Sequence, residues 1–193
     1  SMHRLEAYLP VVSDNARVAS FVDGHVVEHG DPELKEAHDL ITYDRRVQVL
    51  ILKYTGILEG QFRARYARFM TALHGDMALY DPGLFNRRDK YDDTIGIVTR
   101  ELTRQRGRNK SIERHMDSRG RVPLGIAIEY LTLGTLSKLY DNTRDRHVVD
   151  GIASGFNLNS SKARSWFKTI ANVRNICAHF NPYVVRKQIP TTP

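Results

Sequence analysis

The chain has 193 residues, of which 41% are hydrophobic and 26% charged, and its formal net charge is +7 at pH 7. This composition is typical of one globular domain and excludes a low-complexity chain. Most of the 29 basic residues are Arg, whose planar guanidinium suits phosphate, so the charge favours an anionic partner such as nucleic acid.

The single cysteine and the hydropathy pattern predict where the protein works. Cys177 has no second cysteine to pair with, which favours a reducing compartment, and it falls on an apolar stripe, as a packing residue does. The most apolar stretch, residues 124–136, contains Glu129 and is shorter than the roughly 20 residues of a membrane span. With no signal-peptide pattern near the start, we expect a soluble, cytoplasmic protein without a membrane partner.

Residues 1–30 predict an N-terminal helical segment, which Ser13-Asp14 can cap and Gly30 ends. Within it, His25 and His29 match the His-x-x-Glu-His pattern of zinc peptidases, in which two histidines four apart chelate one metal. No third ligand is evident, so an exposed helix end is the preferred interpretation. A zinc hydrolase remains a less favoured alternative, and we predict no metal or cofactor.

A long helical pattern follows. Apolar residues keep three- and four-residue spacing from Asp44 to Gly75, which predicts one long helix or two helices broken at the glycines inside it, Gly56 and Gly60. On this pattern Glu59 and Arg63 are four apart, as in an intrahelical ion pair.

The middle of the chain predicts further helices and a basic patch. Asp81-Pro82-Gly83 indicates a turn, and a helix is expected over 89–106. The densest run of positive charge suits an RNA backbone, although a solvated helix face is the alternative for any single member. Its members are Arg100, Arg104, Arg106, Arg108, Lys110 and Arg114.

Two helices precede the last one. Residues 123–140 predict one helix, on whose mostly apolar surface Glu129 needs a buried partner, and Arg174 is a candidate for that role. A short helix is expected over 144–154.

The last helix, residues 160–180, has an apolar and a polar face. The predicted apolar stripe consists of Ala163, Trp166, Ile170, Val173 and Cys177. The opposite face carries two carboxamides, an imidazole and an ammonium group, which can bind and polarise a ligand: Lys168, Asn172, Asn175 and His179.

This helix contains the string Arg174-Asn175-Ile176-Cys177-Ala178-His179. Asn175 and His179 share a face, whereas Arg174 and His179 are five apart, roughly 140° around a helix. Arg174 must therefore reach around the helix or serve a site that a second copy of the helix completes. Because Pro182 disfavours helical geometry at Asn181, we expect His179 in the last turn.

The string resembles the Arg-(Asn/His/Asp)-x-x-x-His signature of HEPN ribonucleases. Residues 122–131 and 134–140 are similar to the helix that precedes this motif in bacterial abortive-infection (Abi) proteins of the AbiD/AbiF type. Tyr43-Asp44-Arg45-Arg46 and the Glu59/Arg63 pair resemble their first long helix, so the similarity covers about residues 40–183. One departure is Asn181, which stands where such proteins often carry a second Arg.

The resemblance implies an all-α, HEPN-like helical bundle over residues 31–183, and no alternating strand pattern argues against it. We predict a single helical domain over residues 1–193, with a loose tail from 184 to 193. The resemblance also implies that Arg63 lies near the motif helix.

The resemblance further implies a metal-independent RNA endonuclease, acting as the toxin or effector of an abortive-infection or toxin–antitoxin system. His179 would transfer protons, Arg174 would stabilise charge, and Asn175 would orient His179 or the phosphate. A homodimer through the motif helix and an antitoxin of protein or RNA are the implied partners besides RNA. The RNA-binding candidates are Lys168, Asn172, Arg63, Arg104, Arg106, Arg108 and Lys110.

Two further classes stay open beside the zinc hydrolase. One is a non-catalytic module that binds RNA or an antitoxin on the same scaffold. The other is a helix-turn-helix protein that prefers duplex DNA.

Overall fold

A computed structural model describes Tyr8 and residues 32–184. In this part of the chain the regular structure is helical, and the only β-type pairing is an isolated bridge of Phe85 with Thr143. The prediction of an all-α fold is confirmed. Apart from Tyr8, the predicted N-terminal helical segment lies outside the described residues, as does the tail from residue 185.

The described residues contain seven α-helices and three 3-10 helices. The α-helices are α1 (Pro32–His74), α2 (Arg88–Gln105), α3 (Lys110–His115), α4 (Leu124–Ala127), α5 (Leu133–Asn142), α6 (Arg146–Ser154) and α7 (Ser160–Ala178). The 3-10 helices are Ala78–Tyr80, Pro82–Leu84 and Ile128–Tyr130. None of the described helices has both the length and the apolar character of a membrane span.

Helix α1 runs unbroken for 43 residues through both of its internal glycines. A glycine inside a helix costs only about 1 kcal/mol, and the buried side chains of Phe62, Tyr66 and Met70 stabilise the helix beyond Gly60. The helix ends where the sequence predicts, at Gly75, whose φ of 81° suits a residue without Cβ.

The predicted continuous helix over residues 123–140 is wrong. Leu131 is extended between the 3-10 helix and α5, with φ of −84° and ψ of 142°. Thr132 caps α5 by accepting a hydrogen bond of 3.1 Å from the backbone N–H of Thr135. The break turns Glu129 outward, leaving 63% of its side chain exposed. The expectation that Glu129 lies on a mostly apolar surface is therefore wrong, but its carboxylate does have a mostly buried partner, since Nη1 of Arg63 lies 3.9 Å away and that side chain is 21% exposed.

The chain divides into two compact units. The described part of the larger unit is residues 56–171, and that of the smaller unit is Tyr8 with residues 32–55 and 172–184. Helices α1 and α7 contribute residues to both units. The prediction that residues 1–193 form a single domain stays a prediction.

An aromatic cluster lies in the core of the larger unit. The ring of Phe167 stacks on that of Phe62 with centroids 3.9 Å apart, and Tyr140 packs edge-on against both rings at 5.2 and 5.6 Å. Because Phe167 fills this core, its neighbour Trp166 points outward and is 56% exposed. The placement of Trp166 in the apolar stripe was wrong, and the buried face of α7 is Ala163, Phe167, Ala171, Ile176 and Cys177.

Candidate functional site

The motif string lies at the C-terminal end of α7, in the smaller unit. Arg174 and Asn175 belong to the last two turns, and the helix ends at Ala178. The backbone N–H of His179 still donates to the carbonyl of Asn175, at 3.1 Å, so His179 is the residue that caps the helix. The sequence-based placement of His179 at the end of this helix agrees with the structure to within one residue.

The helix end is closed by the two hydrogen bonds of a Schellman motif. The N–H of Phe180 donates to the carbonyl of Cys177 at 3.0 Å, and the N–H of Asn181 donates to that of Ile176 at 3.1 Å. Phe180 adopts a left-handed φ of 52°, a position that glycine usually occupies. This turn leaves the side chains of His179, Phe180 and Asn181 exposed.

The chain that leaves the motif is held by a buried carboxylate. Asp44 of α1 accepts hydrogen bonds from the backbone N–H groups of Tyr183 at 2.9 Å and Val184 at 3.1 Å. The same carboxylate accepts hydrogen bonds from the hydroxyl of Tyr8 and from the amide of Gln48. Donors on several sides satisfy the buried charge and fix the path of residues 183–184.

Gln48 supports the same segment one helical turn further along α1. Its Nε2 donates at 2.8 Å to the backbone carbonyl of Asn181 and at 3.1 Å to Asp44. Both side chains are buried, so the two residues form a polar bracket within an otherwise apolar surface. Asp44 and Gln48 therefore position the residues that follow His179.

The catalytic candidates lie together at this helix end. Nη1 of the half-buried Arg174 donates to Oδ1 of the exposed Asn175 at 3.3 Å. Asn175 lies on the same face of the helix as His179, so the guanidinium of Arg174 reaches toward that face. The long side chain thereby spans part of the angle that separates Arg174 from His179 around the helix. A guanidinium, a carboxamide and an imidazole therefore lie at the end of one helix.

Cys177 lies beneath this surface and is fully buried. Burial, and secondarily the negative charge of Asp44, raises the pKa of the thiol above its usual range. A thiol with a raised pKa is a poor nucleophile, because the thiolate is the reactive form. The structure agrees with the interpretation of Cys177 as a packing residue.

Comparison of the sequence with models of known protein families shows to which family the chain belongs. The family model described as "Abi-like protein" matches residues 1–183. The chain belongs to the Abi-like protein family. No curated protein and no solved structure matches it significantly. The family name refers to abortive infection, so membership associates this Abi-like protein with an abortive-infection role.

Two RNA-binding candidates lie further back on α7 of the Abi-like protein. Lys168 is exposed, whereas Asn172, one turn later, is half-buried. Lys168 is thus free of the core and accessible to an anion. Asn172 has only part of its amide at the surface.

Arg63, another RNA-binding candidate, contacts protein groups in the larger unit. Its guanidinium donates to the Glu59 carboxylate, to the carbonyl of Glu129 at 3.1 Å and to that of Leu131 at 2.6 Å. Its side chain is 21% exposed. Arg63 therefore ties the break between α4 and α5 to α1, and a contact of Arg63 with RNA stays a prediction.

The basic run surrounds the end of α2 and the start of α3. Gly107, with φ of 79°, turns the chain, and Asn109 caps α3 by accepting from the N–H of Ser111 at 2.9 Å. The short helix α3 was missed by the sequence analysis, because six residues carry too little periodicity. The four candidates here are exposed: Arg104, Arg106, Arg108 and Lys110.

The metal alternative remains untested. His25 and His29 lie outside the described residues. Within Tyr8 and residues 32–184, no three His, Cys, Asp or Glu side chains come close enough to hold a metal ion together.

Asp44 and Gln48 are the positioning residues that sequence reasoning missed. Their four-residue spacing was available as a signal, since it places a carboxylate and a carboxamide on one face of a long helix. Asp44 was noted only as part of a resemblance. Their actual partner, residues 181–184, lies more than 130 positions away and leaves no pattern in the sequence.

Proposed function

We propose that this Abi-like protein is a metal-independent RNA endonuclease of the HEPN type, which acts as the toxin or effector in abortive infection. The observation that carries the proposal is the group formed by the half-buried Arg174 with the exposed Asn175 and His179 at the end of α7. Family membership and the net charge of +7 support it.

The proposed reaction is an internal transesterification. The ribose 2′-oxygen attacks the adjacent phosphorus, the bond from phosphorus to the 5′-oxygen breaks, and the products are a 2′,3′-cyclic phosphate and a 5′-hydroxyl. His179 removes the proton from the 2′-hydroxyl, because an imidazole exchanges protons near neutral pH. The Arg174 guanidinium stabilises the negative charge that develops on the phosphoryl oxygens. No metal ion is needed to balance this step.

Asn175 has a positioning role in this proposal. Its Oδ1 already accepts a hydrogen bond from Arg174, which orients the guanidinium, while its N–H groups can donate to a phosphoryl oxygen. Asp44 and Gln48 act indirectly, since they hold the backbone that follows His179.

A second copy of the chain completes the proposed site. The 5′-oxygen must receive a proton as the 2′-oxygen loses one, and the motif contains one imidazole per chain. Two motif helices related by a two-fold axis bring two His179 side chains to one phosphodiester. A homodimer also allows Arg174 of one copy to act beside His179 of the other.

The test is RNA cleavage in EDTA with both product ends mapped. We expect 2′,3′-cyclic phosphate and 5′-hydroxyl ends from the wild-type protein. His179→Ala and Arg174→Ala should each lower the rate by at least about 100-fold while circular dichroism stays helical. The matched control is His38→Ala, which removes another exposed imidazole of the described chain and should cleave normally.

Two results would contradict the proposal. A folded His179→Ala protein that cleaves at the wild-type rate would remove the site from the mechanism. RNA that is bound but survives intact, with binding unaffected by His179→Ala, would favour the non-catalytic binding module instead.

A further inference from the structure

Three arginines line a cleft in the larger unit. All of its lining residues precede the motif string in the sequence. Its volume is about 370 Å³, within the range of small-molecule sites. We call it the arginine cleft. Its lining residues are Asn86, Arg144, Arg146, Val149, Asp150, Ser160 and Arg164.

Backbone pairing makes one wall of the arginine cleft rigid. The antiparallel bridge of Phe85 with Thr143 pairs Arg144 with Leu84, whose carbonyl accepts from the N–H of Arg144 at 2.9 Å, and the N–H of Asn86 donates to the carbonyl of Asn142 at 2.8 Å. Nη2 of Arg144 donates to the carbonyl of Phe85 at 3.0 Å. One edge of this guanidinium is thereby fixed, and the other N–H groups are left for a ligand.

The starts of two helices form the rest of the arginine cleft. Arg146 is the first residue of α6, and Ser160 is the first residue of α7, which carries Arg164 one turn later. The N-terminus of a helix favours an anion, because its first N–H groups have no partner within the helix. The start of α6 is already capped by the carboxylate of Asp145, which accepts from the N–H of His147 at 2.8 Å. Only the start of α7, capped by the neutral Asn159, therefore adds to the positive potential of the arginines.

The positive charge in the arginine cleft is only partly neutralised by the described residues, since Arg164 alone lies within 4.0 Å of a carboxylate, that of Asp141. Three arginines face one carboxylate in the lining, that of Asp150, which makes no ion pair within 4.0 Å in the described part of the chain. The side chain of Arg146 likewise has no hydrogen-bond or ion-pair partner among Tyr8 and residues 32–184. Like charges held together without a counter-ion repel one another, so an anion at their centre is stabilised.

Arg164 gives a second, independent indication of a missing acceptor. Its Nε is buried and has no hydrogen-bond partner among the described residues. The nearest carboxylate, Asp141, lies 3.9 Å away, and Lys90 already contacts it at 3.2 Å. A buried donor without an acceptor is rare in proteins and indicates a bound group or solvent.

We propose that the arginine cleft binds the phosphate group of a phosphate ester. Arginine forks match the paired oxygens of phosphate, and the lining is mostly polar, with Val149 as its one apolar side chain. The phosphate can come from the backbone of a single RNA strand or from a free nucleotide. This inference does not rest on RNA cleavage.

The test uses probes that the proposed nuclease cannot cut. Calorimetry or fluorescence anisotropy measures binding of inorganic phosphate, adenosine monophosphate and a 2′-O-methyl RNA oligonucleotide with hydroxyl ends. Binding of the small phosphates alone identifies a nucleotide-type ligand, whereas binding of the oligonucleotide identifies the backbone. Either result supports phosphate binding in the arginine cleft if the measured affinity falls when Arg146 is replaced.

Arg146→Glu is the main variant, because its side chain has no described contact whose loss would unfold the protein. We expect roughly 10- to 100-fold weaker binding than wild type. For the oligonucleotide, the plot of the logarithm of the binding constant against the logarithm of the salt concentration should have a slope that is smaller in magnitude by about one. Arg68→Glu changes the net charge equally at an exposed position of α1 and should alter binding less than about threefold. Arg164→Gln provides a second variant that removes only one charge.

Two outcomes would overturn the proposal. Equal weakening by Arg146→Glu and Arg68→Glu would show that only net charge matters. No binding of any of the three probes by the folded wild-type protein at low salt would exclude a phosphate site in the arginine cleft.

Discussion

The carboxylate of Asp44 accepts a hydrogen bond of 2.9 Å from the backbone N–H of Tyr183, 139 residues later in the chain. The same carboxylate accepts from Val184, Gln48 and Tyr8, so its four hydrogen-bond partners among the described residues are all donors. Hydrogen bonds to the charged form stabilise a buried carboxylate. The segment that leaves the proposed catalytic turn is held by this side chain together with that of Gln48.

The first prediction concerns Asp44→Asn. The amide has one oxygen acceptor and brings two N–H donors to a place that contains donors already, so at least one buried donor loses its acceptor. We expect the free energy of unfolding in urea to fall by about 2–3 kcal/mol, and RNA cleavage to fall with it. Asp39→Asn, at an exposed position of the same helix, should change stability by less than about 0.5 kcal/mol. Equal effects of the two substitutions would contradict the prediction.

The second prediction separates two roles of Arg63. Because its guanidinium binds the carbonyls of Glu129 and Leu131, Arg63→Ala leaves those acceptors unpaired at the break between α4 and α5. Urea unfolding should show a loss of about 2–3 kcal/mol. Arg68→Ala, on the exposed side of α1, should be nearly neutral. If Arg63→Ala were as stable as Arg68→Ala but bound RNA less well, Arg63 would be an RNA contact instead.

Helical periodicity predicted most of the fold. The spacing of apolar residues predicted α2, α6 and α7 with ends close to those observed, and the C-terminal end of α1, because each helix buries one face over several turns. It did not predict the start of α1, which lies at Pro32 rather than near Asp44. The break at Leu131 was missed, since it depends on the cap of Thr132 and on Arg63 from another helix. Local spacing carries no information about a contact that comes from 68 residues away.

Local spacing could group only those residues of the candidate site that are close together in the sequence. Arg174, Asn175 and His179 lie close in sequence, so a helical projection is enough to group them. The bracket of Asp44 and Gln48 and the convergence of Arg144, Arg146 and Arg164 depend on tertiary packing. The exposure of Trp166 also depends on it, because Phe167 fits the aromatic core.

The third prediction concerns the contact of α6 with α1 inside the larger unit. A Cβ added at Gly151 would lie 2.6 Å from Cζ of Phe69, closer than real Cβ atoms come to a ring. Gly151→Ala therefore forces the ring or the helix to move and should destabilise by about 1–3 kcal/mol. Gly56→Ala has no atom within 4 Å of the new Cβ and should stabilise α1 by about 0.5–1 kcal/mol. Thermal unfolding of both variants checks the prediction, and the same direction of change in both would refute it.

The fourth prediction concerns Asp117, which closes the loop before Val122. Oδ1 accepts from the backbone N–H groups of Arg121 at 2.8 Å and Arg119 at 2.9 Å, and Oδ2 accepts from Nε of Arg121 at 2.8 Å. The backbone hydrogen bond from Arg121 is the largest influence, and with the other two it holds the pKa of Asp117 below its usual range.

The direction of the pH effect follows from this pKa. Because the pKa of Asp117 is lower in the folded than in the unfolded protein, its contribution to stability is complete above about pH 4 and is lost as the pH falls through the folded pKa. The melting temperature of Asp117→Asn should lie below that of wild type by a constant amount from about pH 5 to 7, and the gap should narrow below about pH 4. Asp93→Asn, at an exposed position of α2, should follow wild type throughout. A gap that widens in acid would mean that the carboxylate is destabilising, contrary to the hydrogen bonds that surround it.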